Sequence, residues 1–455
     1  WPKVFPPAMK THVPSSCQGK LSYAAEVEQV DSLKGTADLV KDIAESNNWT
    51  LAACVCGGEA GVDLADALSE ELGLLTNGTH IPNRRDKKVQ QELVKAAGMR
   101  SVRQAGGAEF SEVEAFLQTE RYPLIVKPLD SAGSDGVMLC HTFEEAKQHF
   151  LSIIGKEMIN GGICEMVLCQ EFLIGREYVV DIVSLNGVHK VVMTWLYDKR
   201  PANGSAFVYF GDIPVDPGSP ESLQLIPYAR KVLDAIGVSN GPSHGEIIMT
   251  EEGPCLVEMN CRTHGGDGNW RPLCQAMTGG YDQVSASVLA YLDKPAFDLL
   301  PDVPPSPLLA CGQCVDLVSF SHGTVKATPG YAIIRSLPSF VCLETHIKPG
   351  SKVSRTVDIS TDCGSLVVLN DDEEILTRDI AIIRQMEKNN ALFSFHIEET
   401  DEDMEWIRRR NQMLVKTYSL DFVPRVPKEQ FRHRRLFSHD ISADLPAEQV
   451  PADGL

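Results

Sequence analysis

Two apolar runs flanking a Glu-Glu-Gly-Pro turn, in the stretch GEIIMTEEGPCLVEMNCR at residues 245–262, predict a β-hairpin. Side chains two apart on a strand share a face. Glu258 and Asn260 therefore project together, and antiparallel pairing brings Glu246 beside them. A second pattern, YPLIVKPLDSAGSDGV at residues 122–137, reads as a short β-branched strand ending at Lys127 and Pro128, then a loop of small residues. A third, CQEFLIGREYVVDIVSL at residues 169–185, opens on polar Gln170 and Glu171, breaks at Gly175, and begins a strand at Glu177. Earlier, NRRDKKVQQELVKAAG at residues 83–98 has the period of an amphipathic helix stopped by a glycine. Residues 51–56 read as an apolar strand, and residues 37–46 as a helix leading into it.

Punctuation divides the chain into four expected segments: an N-terminal α/β domain over 1–82, a core over 83–300, a C-terminal lobe over 301–400, and a charged helix and tail over 401–455. The Pro-rich stretch LLPDVPPSPLL at 299–309 sets off the third. That lobe alternates short strands with turns and ends in a helix over 373–387. The class is α/β and α+β, in several domains.

The hairpin offers three oxygen donors and no Cys or His among them, a hard-cation site suited to Mg2+ and bound phosphates. Arg262 extends the face with a permanent charge and bidentate reach. A solvated surface hairpin is the competing reading. Ser131, Gly133, Ser134 and Gly136 make a loop whose backbone can close on a polyphosphate, since glycine removes the Cβ that would hold it off. It lacks the G-K-[ST] of a P-loop and the G-x-G-x-x-G of dinucleotide binders. An ordinary turn between strands is the alternative.

Strand, lysine, small-residue loop, hinge, glycine, Glu, strand, then a Glu and E-x-N hairpin form an ordered series. In that order the chain resembles the ATP-grasp superfamily of carboxylate–amine ligases, over residues 51–386. The resemblance implies a fold with an N-terminal α/β lobe, a two-lobed nucleotide clasp and a C-terminal lobe. It further implies ATP with Mg2+, or Mn2+ in its place. Lys87 and Lys127 then resemble the two lysines that hold the phosphates, beneath the loop at 131–136. Gln170, Glu171, Phe172 and Leu173 match the hinge between lobes, with the backbone of Glu171 and Leu173 reading the adenine edge. Relatives often carry an acid where Gln170 stands. Glu177 resembles the acid that meets the ribose, Glu246, Glu258 and Asn260 the magnesium ligands, and Arg262 the arginine facing the acyl phosphate. His244 stands where many relatives have an arginine; a phosphate or substrate contact and a hydrogen-bonded structural histidine are equal readings.

Within the superfamily the chain is most similar to the L-amino acid ligases, which form dipeptides. LAACVCGGEAGVDLADALSEELGLLTN at 51–77 and NCRTHGG at 260–266 carry this likeness, and residues 195–214 fit the group's variable loop over the acceptor substrate. The activity implied is activation of a carboxylate, of an amino acid by this likeness, as an acyl phosphate, then amide formation with release of ADP and phosphate. A biotin-carboxylase-like or purine-pathway ligase, and a non-catalytic ATP-binding module, are the alternatives. Glu59 reads first as an acid favoured by the helix dipole in a first helical turn, and second as a substrate-amine contact. No residue is marked as an obligatory general base.

Composition narrows the partners. A formal charge of −20 over 455 residues opposes nucleic acid and anionic membrane, leaving small-molecule carboxylates and amines; a homodimer stays open. Thirteen cysteines in no regular framework suit a reducing, cytoplasmic compartment. The Cys311 and Cys314 pair has no second pair to complete a zinc site and reads as ordinary strand. No apolar run reaches the ~20 residues of a membrane span.

Overall fold

The computed structural model describes residues 22–81, 84, 86–129, 136–158 and 162–396. Its elements run α1 (Leu33–Ser46), α2 (Val62–Leu72), α3 (Lys87–Ala96), β1 (Gln104–Gly107), α4 (Phe110–Thr119), β2 (Leu124–Pro128), β3 (Met138–Cys140), α5 (Phe143–Ile153) and β4 (Val167–Glu171). They continue through β5 (Arg176–Leu185), β6 (Val188–Ala202), β7 (Ser205–Val215), α6 (Ser222–Ala235), β8 (Gly241–Thr250), β9 (Gly253–Asn260), α7 (Arg271–Thr278), α8 (Gln283–Leu292) and α9 (Lys294–Leu299). The C-terminal part holds β10 (Gly312–Asp316), β11 (Gly323–Ala327), α10 (Pro329–Arg335), β12 (Phe340–Glu344), β13 (Lys352–Val353), β14 (Ser365–Leu369), α11 (Glu373–Lys388) and β15 (Ser394–Phe395).

Two antiparallel sheets carry the architecture, one of four strands in the order β1-β4-β2-β3 and one of eight in the order β12-β14-β10-β7-β6-β5-β8-β9. The small sheet buries Val126, Val167 and Cys169 against Val113 and Leu117 of α4 and Ala146 and Phe150 of α5. The large sheet is covered on both sides. One face meets α6 through Leu225, Ala229, Val232 and Leu233; the other meets α7 and α8 through Leu273, Cys274, Ala286 and Ala290, around Trp195 and Trp270. The chain crosses from small to large sheet between Glu171 and Arg176. Gly175 is required at this crossing, because a Cβ there would lie 2.0 Å from the Met249 carbonyl oxygen of β8.

The eight-stranded sheet runs across the boundary expected at 300/301. β10 pairs with β7, setting Cys314 opposite Asp212 and Val315 opposite Gly211, and β14 and β12 follow. Gly211 permits the contact: its φ is +142° and a Cβ would meet the Cys314 carbonyl oxygen at 2.1 Å.

Local expectations hold at α3, where the Asp86 carboxylate caps the helix by accepting from Lys88 and Val89 N–H, and at α11, capped by Asp372. Two differ. Residues 51–56 form no strand, since an extended run becomes one only when another backbone pairs with it, and no described segment does. The expected loop over 195–214 is instead paired backbone of β6 and β7, turned at Asn203 and Gly204 with φ of +51° and +93°. The Asn-Gly dipeptide between strand-like runs is the hairpin signal that identifies it. The helix expected beyond residue 402, and the tail, lie outside the described residues. Among those described, no helix is long and apolar enough to cross a membrane.

Candidate active site

β8 and β9 pair as the residue pattern requires, with Glu246 opposite Glu258 and His244 opposite Asn260. β5 continues the same face, with Asp181 opposite His244 and Val179 opposite Glu246. Two carboxylates and an amide thus stand together. The Asn260 Nδ2 donates to Glu258 Oε1 at 3.2 Å, so the Asn260 carbonyl oxygen is the atom turned to any cation. This all-oxygen set fits Mg2+, which takes carboxylate, carbonyl and phosphate oxygens.

Cations approach from several sides. Lys87, the first residue of α3, places Nζ 3.0 Å from Glu258 Oε2. Burial alone would lower its pKa, but Glu258, joined by Glu246 and Glu59, raises it overall. Lys127, 8% exposed on β2, has no comparable partner among the described residues: burial, aided by the like charge of Lys87, lowers it to about 8. Burial would raise Glu246, yet the hydrogen bond to His244 and the charges of Lys199 and Arg262 hold it at about 2.

Lys199 was not identified from sequence. It donates to Glu177 Oε1 at 2.7 Å and lies over the rings of Tyr209 and Tyr197, 4.5 and 4.9 Å from their centroids. Burial would lower its pKa, but Glu177 first, with Tyr209 and Glu246, overcomes burial and raises it. Glu177 is thereby tied to a lysine and stands near Glu246 and Glu258, whose charges add to burial in raising its own pKa.

His244 is a buried, fully engaged histidine. Its Nδ1 lies 2.9 Å from Asp181 Oδ1, while Nε2 is 2.9 Å from the Tyr197 hydroxyl and 3.6 Å from Glu246 Oε1. Both ring nitrogens of His244 thus have polar partners, and its position braces Glu246. Asp181 also receives His264 Nδ1 at 2.9 Å and Trp195 Nε1 at 2.7 Å, so one buried carboxylate orients two imidazoles and an indole. His264 Nε2 continues to Asp212 Oδ2 at 3.5 Å. The sequence signal for this centre was a lone acid within the apolar run VVDIV of β5.

Arg262 lies just past β9 and donates through Nε to Glu59 Oε2 at 2.6 Å and through its terminal nitrogen to the Thr263 carbonyl. Glu59 stands in the first turn of a short 3-10 helix (Glu59–Gly61) just before α2, as the first sequence reading expects, and its carboxylate also meets Arg262. At the hinge, Glu171 turns its carboxylate to Arg100 at 2.7 Å and Arg103 at 2.6 Å, and its N–H to the Arg103 carbonyl. Gln170 is buried against Gln104, and Leu173 against Val102 and Cys255. Phe172 stands between them, partly buried. Gly136, the last residue of the expected phosphate loop, has φ +70°; Ser131, Gly133 and Ser134 lie outside the described residues. Cys314 is buried in β10, and the twelve described cysteines are all free thiols.

Residues 120–270 match the ATP-grasp domain. The chain is 28% identical to dapdiamide A synthase of Enterobacter agglomerans over 365 residues, 76% of this chain and 81% of that one. Its fold is similar to an L-amino acid ligase from Bacillus licheniformis, with a TM-score of 0.63 at 16% identity, covering 80% of this chain and 86% of the other. It is also similar to the biotin carboxylase domain of the Hydrogenobacter thermophilus 2-oxoglutarate carboxylase, solved with MgADP and bicarbonate, with a TM-score of 0.55 at 16% identity over 80% of each chain.

Proposed function

We infer that this chain, an ATP-grasp carboxylate–amine ligase close to the dipeptide-forming amino acid ligases, couples one amino acid through its carboxylate to the amine of another. The observation that carries the reading is the opposed Glu246 and Glu258 pair with Asn260 beside it, met by Lys87 and lying near Arg262. ATP and Mg2+ are its cofactors.

A carboxylate is a poor acyl donor, so one of its oxygens first attacks the γ-phosphorus of ATP; the bond to the β-phosphate oxygen breaks and ADP leaves. The amine nitrogen then attacks the acyl carbon, phosphate departs with the bonding pair, and the nitrogen loses a proton. Glu246, Glu258 and Asn260 would hold Mg2+, which would neutralise charge on the polyphosphate. Lys87 and Lys127 add positive charge along the polyphosphate. His244 and Lys199 keep Glu246 ionised, which the cation requires. Arg262, aimed by Glu59, stabilises the oxyanion as the amine adds, since a prepositioned donor costs no reorganisation at the moment of reaction. The strongly acidic chain supports small-molecule partners over nucleic acid, and the free thiols support a cytoplasmic setting.

The test is ATP-dependent phosphate release across pairs of amino acids, with bicarbonate and nucleotide precursors as separate arms. Release that needs two amino acids and yields their amide supports the reading. Release that responds only to bicarbonate or a nucleotide precursor overturns it.

A further inference from the structure

Arg262 meets two partners of different kinds. Glu59 takes its Nε, and the backbone carbonyl of Thr263 takes its Nη1 at 2.9 Å, while Nη2 donates to no described residue. The aim of the guanidinium therefore depends on which way the peptide joining Thr263 to His264 faces. A peptide unit is planar and trans, so its N–H and C=O point to opposite sides. Whatever fixes the His264 N–H fixes the carbonyl that Arg262 uses. Residues 261–265 lie in no helix or strand, so no ladder of backbone bonds holds them, and side chains must do so instead.

Two buried side chains hold that peptide. Gln283, the first residue of α8 and fully buried, accepts from the His264 N–H through Oε1 at 2.7 Å. Its Nε2 lies 2.9 Å from the Ser243 carbonyl of β8 and 3.3 Å from the Ile182 carbonyl of β5. Backbone carbonyls only accept, so the amide can turn nothing but its oxygen to His264. The His264 ring is held as firmly. Its two nitrogens sit between Asp181 and Asp212, and Trp195, His244 and Trp270 pack round it with ring centroids 5.5, 4.5 and 5.3 Å away. The peptide is thus referenced to β5 and β8, and β8 also carries Glu246.

We propose that His264 is a positioning residue for the amide-forming step: with Gln283 it sets the Thr263 carbonyl that aims the Arg262 guanidinium, in register with Glu246. His264 touches no reacting atom in this role. Glu59 holds the guanidinium from the N-terminal segment, and the clamped peptide holds it from the sheet, so the two together leave it one orientation. A donor must be in place before charge develops on the oxygen it stabilises, and a guanidinium on a segment free to swing loses that advantage. The proposal rests on the oxyanion role read for Arg262 above and adds the groups that hold it in place.

Amide formation is measured in single turnover, with MgATP affinity by calorimetry beside it, on the whole chain, on His264→Gln, on Arg262→Ala and on the variant carrying both changes. His264→Gln is expected to lower the rate by about 10-fold or more, with ATP affinity kept within about 2-fold. In the Arg262→Ala background the same change should cost less than about 2-fold, because no guanidinium is left to aim. A merely structural role would cost the same factor in both backgrounds, and that result overturns the proposal. So does an unchanged rate in His264→Gln alone, or a loss of ATP affinity as large as the loss of rate. If His264→Gln does not fold, Gln283→Met, which removes the acceptor of the His264 N–H, is carried through the same cycle and judged by the same outcomes. Arg262→Ala that forms amide at the unaltered rate overturns the oxyanion reading and this with it, whereas equal losses in the two backgrounds overturn this alone.

Discussion

Glu59 and Arg262 are 203 positions apart in the chain and 2.6 Å apart in the fold, Glu59 Oε2 accepting from Arg262 Nε. The N-terminal segment thus aims a guanidinium that sits directly after the β8–β9 hairpin. Burial would lower the pKa of that guanidinium, and the Glu59 carboxylate opposes it.

Arg262→Lys keeps a charge but loses the planar fork that grips Glu59 and the oxyanion together. Amide formation should fall by roughly 10²-fold, the scale of one oxyanion donor, with ATP affinity nearly unchanged. Calorimetry of nucleotide binding beside product formation checks this. A variant that loses ATP binding yet forms product normally at saturating ATP would place Arg262 on the nucleotide instead.

Glu258→Gln removes the charge proposed to hold the metal, which is also the partner of Lys87, while keeping shape. Turnover should drop by on the order of 10³-fold or more, equivalent to several kcal/mol of transition-state stabilisation, with little change in thermal stability. Near-normal phosphate release at saturating magnesium would rule out the metal role.

Lys127, lowered to about 8, is largely neutral above that pH in the free protein, and a bound polyphosphate favours its charged form. Binding of MgATP near pH ~9 should therefore take up most of a proton, read from calorimetry in buffers of different ionisation enthalpy. Lys127→Arg, charged throughout, should abolish the uptake. The same uptake in both proteins would mean that another group titrates.

His264 is an imidazolium that burial would discharge, but Asp181, followed by Asp212, holds its pKa up at about 10. Its unfolded value is near ~6.5, so its stabilisation is complete below that pH and is lost as pH rises toward 10. His264→Gln should be less stable than the unaltered protein at pH ~6, and the gap should close steadily through this window. Urea unfolding at several pH values measures it; a gap that stays constant or widens would show that the imidazolium is not what stabilises the centre.

The hairpin at 245–262, the cap at Asp86 and the helix after Asp372 are legible in the residue order, because alternation, capping and turn chemistry act between near neighbours. The same is true of the donor set Glu246, Glu258 and Asn260, since one hairpin carries all three. Ordered spacing of further motifs was enough to indicate the ATP-grasp ligase class. The turn at Asn203 and Gly204 was equally local, and it defines a hairpin where a loop had been expected. Tertiary structure alone decided the rest. Asp181 gathers His244 and Trp195 only because β5, β6 and β8 pair in one register, and His264 only through the segment that follows β9; Lys199 reaches Glu177 only across the β5–β6 pair; Gln104 meets Gln170 only across β1 and β4. Residues 51–56 have strand-like composition but no described partner strand, and β10 adds to the large sheet beyond the proline-rich stretch. Such contacts depend on which backbones pair and in what register, a choice made by burial summed over the whole chain and not by any window of neighbouring residues.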